Sequence, residues 1–252
     1  MKQAMILAAG LGTRLKPMTD TMPKALVPVA GQPLLYHIVT KLKTAGFERI
    51  VVNIHHFGQQ IIDYLAANQN FGLDIRISDE RQQLLDTGGG LKHAVPLFEA
   101  DSPFLIHNVD IFSNADLSAL YDEALQRNTD ALLLICRRKT SRNLLFDEEM
   151  RLRGWTNDDK GIVKIAGEAS SLSSLPSPLT SLGKYAFTGI HVFHPRLAEQ
   201  MMAMPEKFGV FDFYMKYCVP CSIVGRLQAD LRMLDVGKLD TLELAEQFLL
   251  TK

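Results

Sequence analysis

Leu7-Ala8-Ala9-Gly10-Leu11-Gly12-Thr13-Arg14, followed by Pro17 and then Pro23-Lys24, is the stretch from which the fold is read. It comes directly after a short apolar run, Ala4 to Leu7, which predicts a buried first strand. Two glycines two apart, right after a strand, let a backbone turn tightly with its N–H groups free to face a ligand. Arg14 and Lys24 add two cations beside that turn. Backbone amides with an arginine and a lysine form the donor set that a polyphosphate requires.

Outward from this turn the chain alternates. Gln32 to Ala45 has helical spacing, with Leu35, Ile38, Val39 and Leu42 on one side and Gly46 as its C-terminal stop. Arg49 to Ile54 reads as a second strand, Gly58 to Ala67 as a second helix and Leu73 to Ser78 as a third strand. Asp86-Thr87-Gly88-Gly89-Gly90 reads as an open glycine loop leading into a helix from Leu91 to Leu97. Phe104 to His107 is a fourth strand ending in Asn108-Val109-Asp110, Asp116 caps a helix to Arg127, and Ala131 to Cys136 is a fifth strand. Strands alternating with helices predict an α/β fold with a mostly parallel sheet covered on both faces. Ligands then sit at the carboxyl ends of the strands, where the glycine turn and Asp110 both lie.

The second half breaks this rhythm. Asn143 to Trp155 and Gly161 to Ala166 read as paired strands around the turn Asn157 to Gly161, and Glu168 to Leu182 reads as a loop. Tyr185 to Phe193 is a strand, and Pro195 to Met204 and Phe211 to Tyr217 are helices. Ser222 to Leu227 and Arg232 to Leu234 are strands before Asp235, and Lys238 to Leu249 is a closing helix. No internal repeat is visible, which predicts no repeat-built second domain.

With 252 residues, 47% of them hydrophobic, the chain suits one large α/β domain, or one with a small insertion. Lys plus Arg total 27 against 28 Asp plus Glu, so no overall field would recruit nucleic acid or an anionic membrane. No run approaches a membrane span, and the first apolar run is too short for a signal-peptide core. Cys136, Cys218 and Cys221 make no disulfide framework, so a cytoplasmic location is expected, and Cys218-Val-Pro-Cys221 is read as packing.

The run from Leu7 to Val29 resembles the signature of the sugar-1-phosphate nucleotidyltransferases, L-A-A-G-x-G-T-R-x-x-P followed by P-K-x-L-x-P-V. It matches at Leu7 to Gly10, Gly12 to Arg14, Pro17, Pro23-Lys24, Leu26 and Pro28-Val29. The likeness is strongest to short members such as the N-acetylmuramate-1-phosphate uridylyltransferases and mannose-1-phosphate guanylyltransferase-like proteins. It implies a Rossmann-like three-layer sandwich with a mixed, mostly parallel sheet, of the nucleotide-diphospho-sugar transferase type. It further implies a single domain, 1–252, with a nucleotide-binding half, 1–136, and a sugar-binding half, 137–252. The substrates would be a nucleoside triphosphate, with UTP favoured and GTP next, and a sugar-1-phosphate. Mg²⁺ would be the cofactor, and a monomer or homodimer the state.

By the same resemblance Leu7, Ala8, Ala9, Gly10, Gly12, Thr13 and Arg14 hold the triphosphate, and Thr87 and Gly88 hold the base. Lys24 bridges the attacking phosphate and the α-phosphate. Asn108, Thr188 and Gly189 contact the sugar or its phosphate. Asp110, together with Asp235 in Leu234-Asp235-Val236-Gly237, holds the metal, so Arg14, Lys24 and Asp110 are the catalytic set. Nucleophile and electrophile are both anionic in such a transfer, so charge neutralisation and alignment matter more than an acid or base. The family usually has glycine where Val109 stands, and valine disfavours a positive φ there. Asp212 could bind a sugar hydroxyl or cap a helix, while adjacent His55 and His56 point apart on a strand end and read as structural.

A dinucleotide-binding oxidoreductase would want glycine where Leu15 stands and an acid where Asn53 stands, and the phosphate-loop string G-x-x-x-x-G-K-[ST] is absent. Two alternatives stay open on sequence: a catalytically idle sugar-nucleotide-binding regulator on the same fold, and a nucleotidyltransferase that uses phosphocholine.

Overall fold

The computed structural model describes residues 1–166 and 182–250. The expected loop from Glu168 to Leu182 falls, except for its last residue, outside the described residues. In chain order the elements are β1 (Lys2–Leu7), β2 (Pro28–Val29), β3 (Gln32–Pro33), α1 (Leu34–Thr44), β4 (Phe47–Ile54), α2 (Gly58–Ala67) and β5 (Asp74–Asp79). Then come α3 (Asp86–Ala94), β6 (Phe104–Asn108), β7 (Ile111–Ser113), α4 (Leu117–Arg127), β8 (Ala131–Cys136), β9 (Arg142–Phe146), β10 (Leu152–Asn157) and β11 (Ile162–Ile165). The rest are β12 (Gly183–Phe193), α5 (Ala198–Met202), α6 (Val210–Tyr217), β13 (Ile223–Leu227), β14 (Met233–Asp235) and α7 (Leu242–Leu250).

Ten strands form one mixed sheet with the central order β9-β12-β6-β1-β4-β5; β10 and β11 extend one edge, and β8 and β13 branch from β12. β6, β1, β4 and β5 are parallel, as is the pair β8 and β13, whereas β12 runs antiparallel to β6, β8 and β9. Alternation along each buried strand feeds two cores. Ala4 and Ile6 of β1, Ile50 and Val52 of β4, and Leu132 and Leu134 of β8 pack with α1, α2, α4 and α7. Met5, Val51, Leu133 and Ile135 point the other way, into a second core with Leu91 of α3, Met201 of α5 and Phe213 of α6. Helix, sheet, helix is the three-layer arrangement expected.

Local chemistry sets the boundaries. Gly46 takes a φ of +83° just past α1, and the Asp116 carboxylate accepts the Ala119 N–H at 2.9 Å to cap α4. Asp212 caps α6, its carboxylate accepting the Gly209 N–H at 3.1 Å, so the capping alternative is the one observed. Two expectations need correction. The strand read from Asn143 to Trp155 is a hairpin, β9 and β10, because Asp147 turns the chain: its Oδ1 accepts the Arg151 N–H at 2.8 Å and Met150 adopts a φ of +60°. The glycine run at 88–90 is not an open loop but lies within the first turns of α3.

His191 sits wholly buried in the second core against Phe187 and Tyr214, at centroid distances of 5.4 and 5.8 Å. Neither ring nitrogen has a hydrogen-bond partner, and burial pushes its pKa down to about 3. His107, also fully buried, is likewise pushed down to about 3, by burial and then by the nearby Lys41 charge. Between the ordinary imidazole value of 6.5 and about 3 the folded chain binds fewer protons than the unfolded one, so stability falls as pH falls through that window. His191→Phe should narrow the difference in Tm between pH 7 and pH 4, with His107 sustaining the remainder. An unchanged difference in thermal melts would exclude His191 from the acid response.

Candidate active site

Parallel register brings the site together. β1 lies between β4 and β6 with Leu7 opposite Asn53 on one side and Asn108 on the other. Beyond Leu7 the chain turns into an exposed loop at Gly10 and Leu11. Gly12 adopts a φ of +64°, and a Cβ there would stand 2.8 Å from the Thr19 methyl and 3.0 Å from the Lys24 Cβ, so glycine lets the loop fold down against the Lys24 segment. Thr19 secures it by donating to the Gly12 carbonyl at 2.9 Å.

A recess of about 430 Å³ opens at these strand ends. Leu7, Ala9 and Gly10 wall it on the loop side, Lys24, Asn108, Val109 and Asp110 at the back, and Asn53, Glu80, Asp86, Thr87 and Lys207 on the far side. Lys24 and Asp110 form an ion pair within it, their side chains only 11% and 13% exposed. An ammonium so screened from water keeps much of its field, and an anion entering the recess would compete with Asp110 for it. Val109 is not among the residues with positive φ, consistent with its side chain.

Asp235 reaches the same end of the fold by another route. β14 pairs antiparallel with β7, Asp235 opposite Ile111, and the Val236 N–H donates to the Asp110 carbonyl at 2.8 Å. The two acids are thus carried by one two-stranded ladder. Asp235 Oδ1 is buried with no hydrogen-bond partner, a costly state for a carboxylate oxygen unless a cation approaches it. Among the described residues no cluster of three or more His, Cys, Asp or Glu could hold a metal, so protein would supply two carboxylates at most. That suits a small hard cation which keeps water and phosphate oxygens in its other positions. Arg14, exposed, closes the constellation at Gly237, where a Cβ would lie 2.6 Å from both its guanidinium and Asp235 Oδ1.

Several expected contacts stand elsewhere. The Ala8 amide is turned to Asn53 at 2.7 Å, and Ala8 is 3% exposed outside the recess. Gly88 cannot offer its amide to a base: Gly88 and Gly89 both donate to the Phe208 carbonyl, at 2.9 and 3.1 Å. Thr188 is withdrawn as well, its hydroxyl donating to the Leu134 carbonyl at 2.8 Å, where β12 bulges between Phe187 and His191 against β8. Gly189, with a φ of +82°, does support the site, since a Cβ there would lie 2.7 Å from the Asn108 side-chain nitrogen.

Asn53 and Glu80 also line the recess, though neither belongs to a motif in the sequence. Both sit at strand ends, where the fold predicts ligands, and that position was the available signal. Glu80 is held by donors from Asn53 at 2.7 Å and from the Leu85 N–H at 3.2 Å, yet burial outweighs them and raises its carboxyl pKa. In a separate cavity lined by Ser113 and Asp116, burial lowers the Lys41 pKa to about 8.

Residues 3–146 match the model of the family described as nucleotidyl transferase. The chain is 49% identical over 111 residues, 43% of it and 46% of the other, to N-acetylmuramate alpha-1-phosphate uridylyltransferase of Caulobacter vibrioides. It is 31% identical to UTP–glucose-1-phosphate uridylyltransferase of Haloferax volcanii, over 76% of this chain and 74% of that one. The matched part spans about half the length of the muramate uridylyltransferases. In fold it is similar to UDP-glucose pyrophosphorylase from Acinetobacter baumanii, with a TM-score of 0.75, 16% identity and coverage of 98% and 93% of the two chains. It is similarly close to HddC from Yersinia pseudotuberculosis complexed with GMP-PN, with a TM-score of 0.73, 21% identity and coverage of 99% and 100%.

The α3 glycines provide a test of how the far wall is built. A Cβ on Gly89 would lie 2.3 Å from the Glu206 backbone carbonyl, while one on Gly88 would strike the Phe208 ring at 2.4 Å. Alanine gains about 1 kcal/mol of helix propensity over glycine, but overlap with backbone costs about 1–3 kcal/mol. Gly89→Ala should therefore lower stability in urea unfolding by about 1 kcal/mol net. A more stable variant would mean that α3 is not clamped by the 206–208 segment.

Proposed function

Since the chain belongs to the nucleotidyl transferase family, we propose that it transfers a nucleotidyl group from a nucleoside triphosphate to a sugar-1-phosphate, releasing pyrophosphate. The observation that carries this reading is the screened Lys24–Asp110 ion pair at the back of a recess whose near wall is the glycine loop. UTP is the favoured donor, with GTP next; the uridylyltransferases among the relatives support that order.

In this reading the triphosphate lies along the amides from Gly10 to Thr13 with Arg14 on its outer phosphates. An oxygen of the sugar phosphate attacks the α-phosphorus, the bond from that phosphorus to the β-bridging oxygen breaks, and pyrophosphate leaves with the electron pair. Lys24 leaves Asp110 to neutralise the two phosphates that must approach each other, holding them in line. Asp110 and Asp235 would hold Mg²⁺, whose chemistry is to neutralise phosphate charge. Thr87, which lines the recess beside Asp86, faces the base, and Asn108, backed by Gly189, faces the sugar phosphate. Residues 1–136 would then carry the nucleotide and reach the sugar phosphate through Lys24 and Asn108, leaving 137–252 to hold the sugar itself.

Pyrophosphate release, measured across a matrix of triphosphates and sugar-1-phosphates with Mg²⁺ and with product mass as the second readout, tests the reading. Triphosphate binding without turnover of any pair would point instead to a regulator. Lys24→Ala and Asp110→Asn should each lower kcat by about two orders of magnitude or more. Each should also lower Tm, since it leaves the screened partner charge unpaired, so activity is read at a temperature where thermal melts show the variant folded. Near wild-type turnover in either would remove that residue from the mechanism.

A further inference from the structure

The start of the loop is held by a side chain from a neighbouring strand. Asn53, the last residue but one of β4, lies in register with Leu7, and its Oδ1 accepts the Ala8 N–H at 2.7 Å and the Ala9 N–H at 3.3 Å. Its Nδ2 donates to Glu80 Oε1 at 2.7 Å. Glu80 is fixed in turn: Oε2 accepts the Leu85 N–H at 3.2 Å, its own N–H donates to the Ile54 carbonyl at 2.8 Å, and its carbonyl meets His55 Nδ1 at 2.7 Å. Asn53 is 3% exposed and Glu80 2%. α3 closes over the pair at Gly90, where a Cβ would lie 2.5 Å from Glu80 Oε1 and 3.0 Å from Asn53 Nδ2. Loop, strand end and helix therefore meet on one amide group.

We propose that Asn53 is a positioning residue for the glycine loop: with Glu80 behind it, it ties back the amides of Ala8 and Ala9 so that the donors offered to a polyphosphate begin at Gly10. The proposal rests on the reading of the recess as a triphosphate site. An amide is needed because one side-chain atom must accept and the other donate, which a carboxylate cannot do. Aspartate at 53 could still accept from Ala8 and Ala9, but its second oxygen would face Glu80. Two buried carboxylates would then oppose each other, and the loop would shift until they shared a proton. The other charged or titratable groups around the pair are His55 beyond β4, His93 on α3, and Lys24, Asp86, Asp110 and Lys207 around the recess. These are common to every variant, so each is compared with wild type at the same pH.

The test is calorimetric titration of UTP and GTP with Mg²⁺, together with steady-state kinetics, on wild type, Asn53→Asp, and Asn53→Asp combined with Glu80→Gln. At pH 8 Asn53→Asp should bind triphosphate about tenfold or more weakly than wild type, the deficit shrinking as pH falls toward 5.5 and the two acids share a proton. Its loss should appear in kcat/KM for the triphosphate, with the KM for sugar phosphate within about twofold of wild type. The double variant restores a donor facing an acceptor with the roles exchanged, and should return affinity at pH 8 to within about threefold of wild type. Loss of stability alone would give neither that pH trend nor the rescue. Wild-type affinity in Asn53→Asp at pH 8, or a double variant no better than the single one, overturns the proposal and leaves the site reading standing. Failure of wild type itself to bind either triphosphate removes the site reading and this proposal together.

Discussion

Strand register is the constraint on which the rest depends. β1 is flanked on both edges by parallel neighbours, with Leu7 opposite Asn53 and Asn108, and the Val109 N–H donates to the Leu7 carbonyl at 3.2 Å. These contacts bring the glycine loop, the Asn53 amide and the Asp110 strand end to one level. A slip of one residue in β1 would exchange Met5 with Ala4 and Ile6 between the two cores and turn every buried side chain to the wrong layer. Hydrophobic sorting of this kind fixes the level to within one residue, so the polar groups above the sheet inherit a geometry that they did not have to create.

Electrostatics build on that platform. Lys24 comes from a short helical turn and Asp110 from the connection after β6, and the ladder of β7 with β14 brings the Asp235 strand end to the Asp110 backbone from more than a hundred residues away. None of the three carries much stability by itself, since a screened ion pair gives back in desolvation much of what it gains by attraction. In the proposed reading their arrangement serves an incoming anion rather than acting as a strut. The orphaned oxygen of Asp235 has the same character, a local cost that an approaching cation would relieve.

Much of this was legible in the sequence. The bounds of α2 and β8 coincide with those read from periodicity alone, because each is a strongly patterned segment with a clear stop. The recess likewise holds Lys24, Asp110, Asn108 and Thr87, since residues that follow strands in a parallel sheet have only one place to be. What escaped reading depends on partners distant in the chain. Three consecutive glycines suggested an open loop, yet each is small because something leans on it: Phe208 on Gly88, the Glu206 carbonyl on Gly89, and the Asn53–Glu80 pair on Gly90. Thr188 carries no sign in its neighbours that its hydroxyl is spent on β8. Asn53 stood out only as a missing acid, and the worth of an amide that accepts and donates at once appears when both partners are in view.

The position of β12 has a consequence for how the chain is made. This strand joins the parallel half to β8 and β9, yet it begins at Gly183, long after its partners β6 and β8 have left the ribosome. Until then both expose unpaired backbone along apolar edges, a template for wrong pairing between chains. Completion of the sheet is therefore a late, long-range event, and the nascent protein passes through a stage in which its first half is written but has no seam to close it.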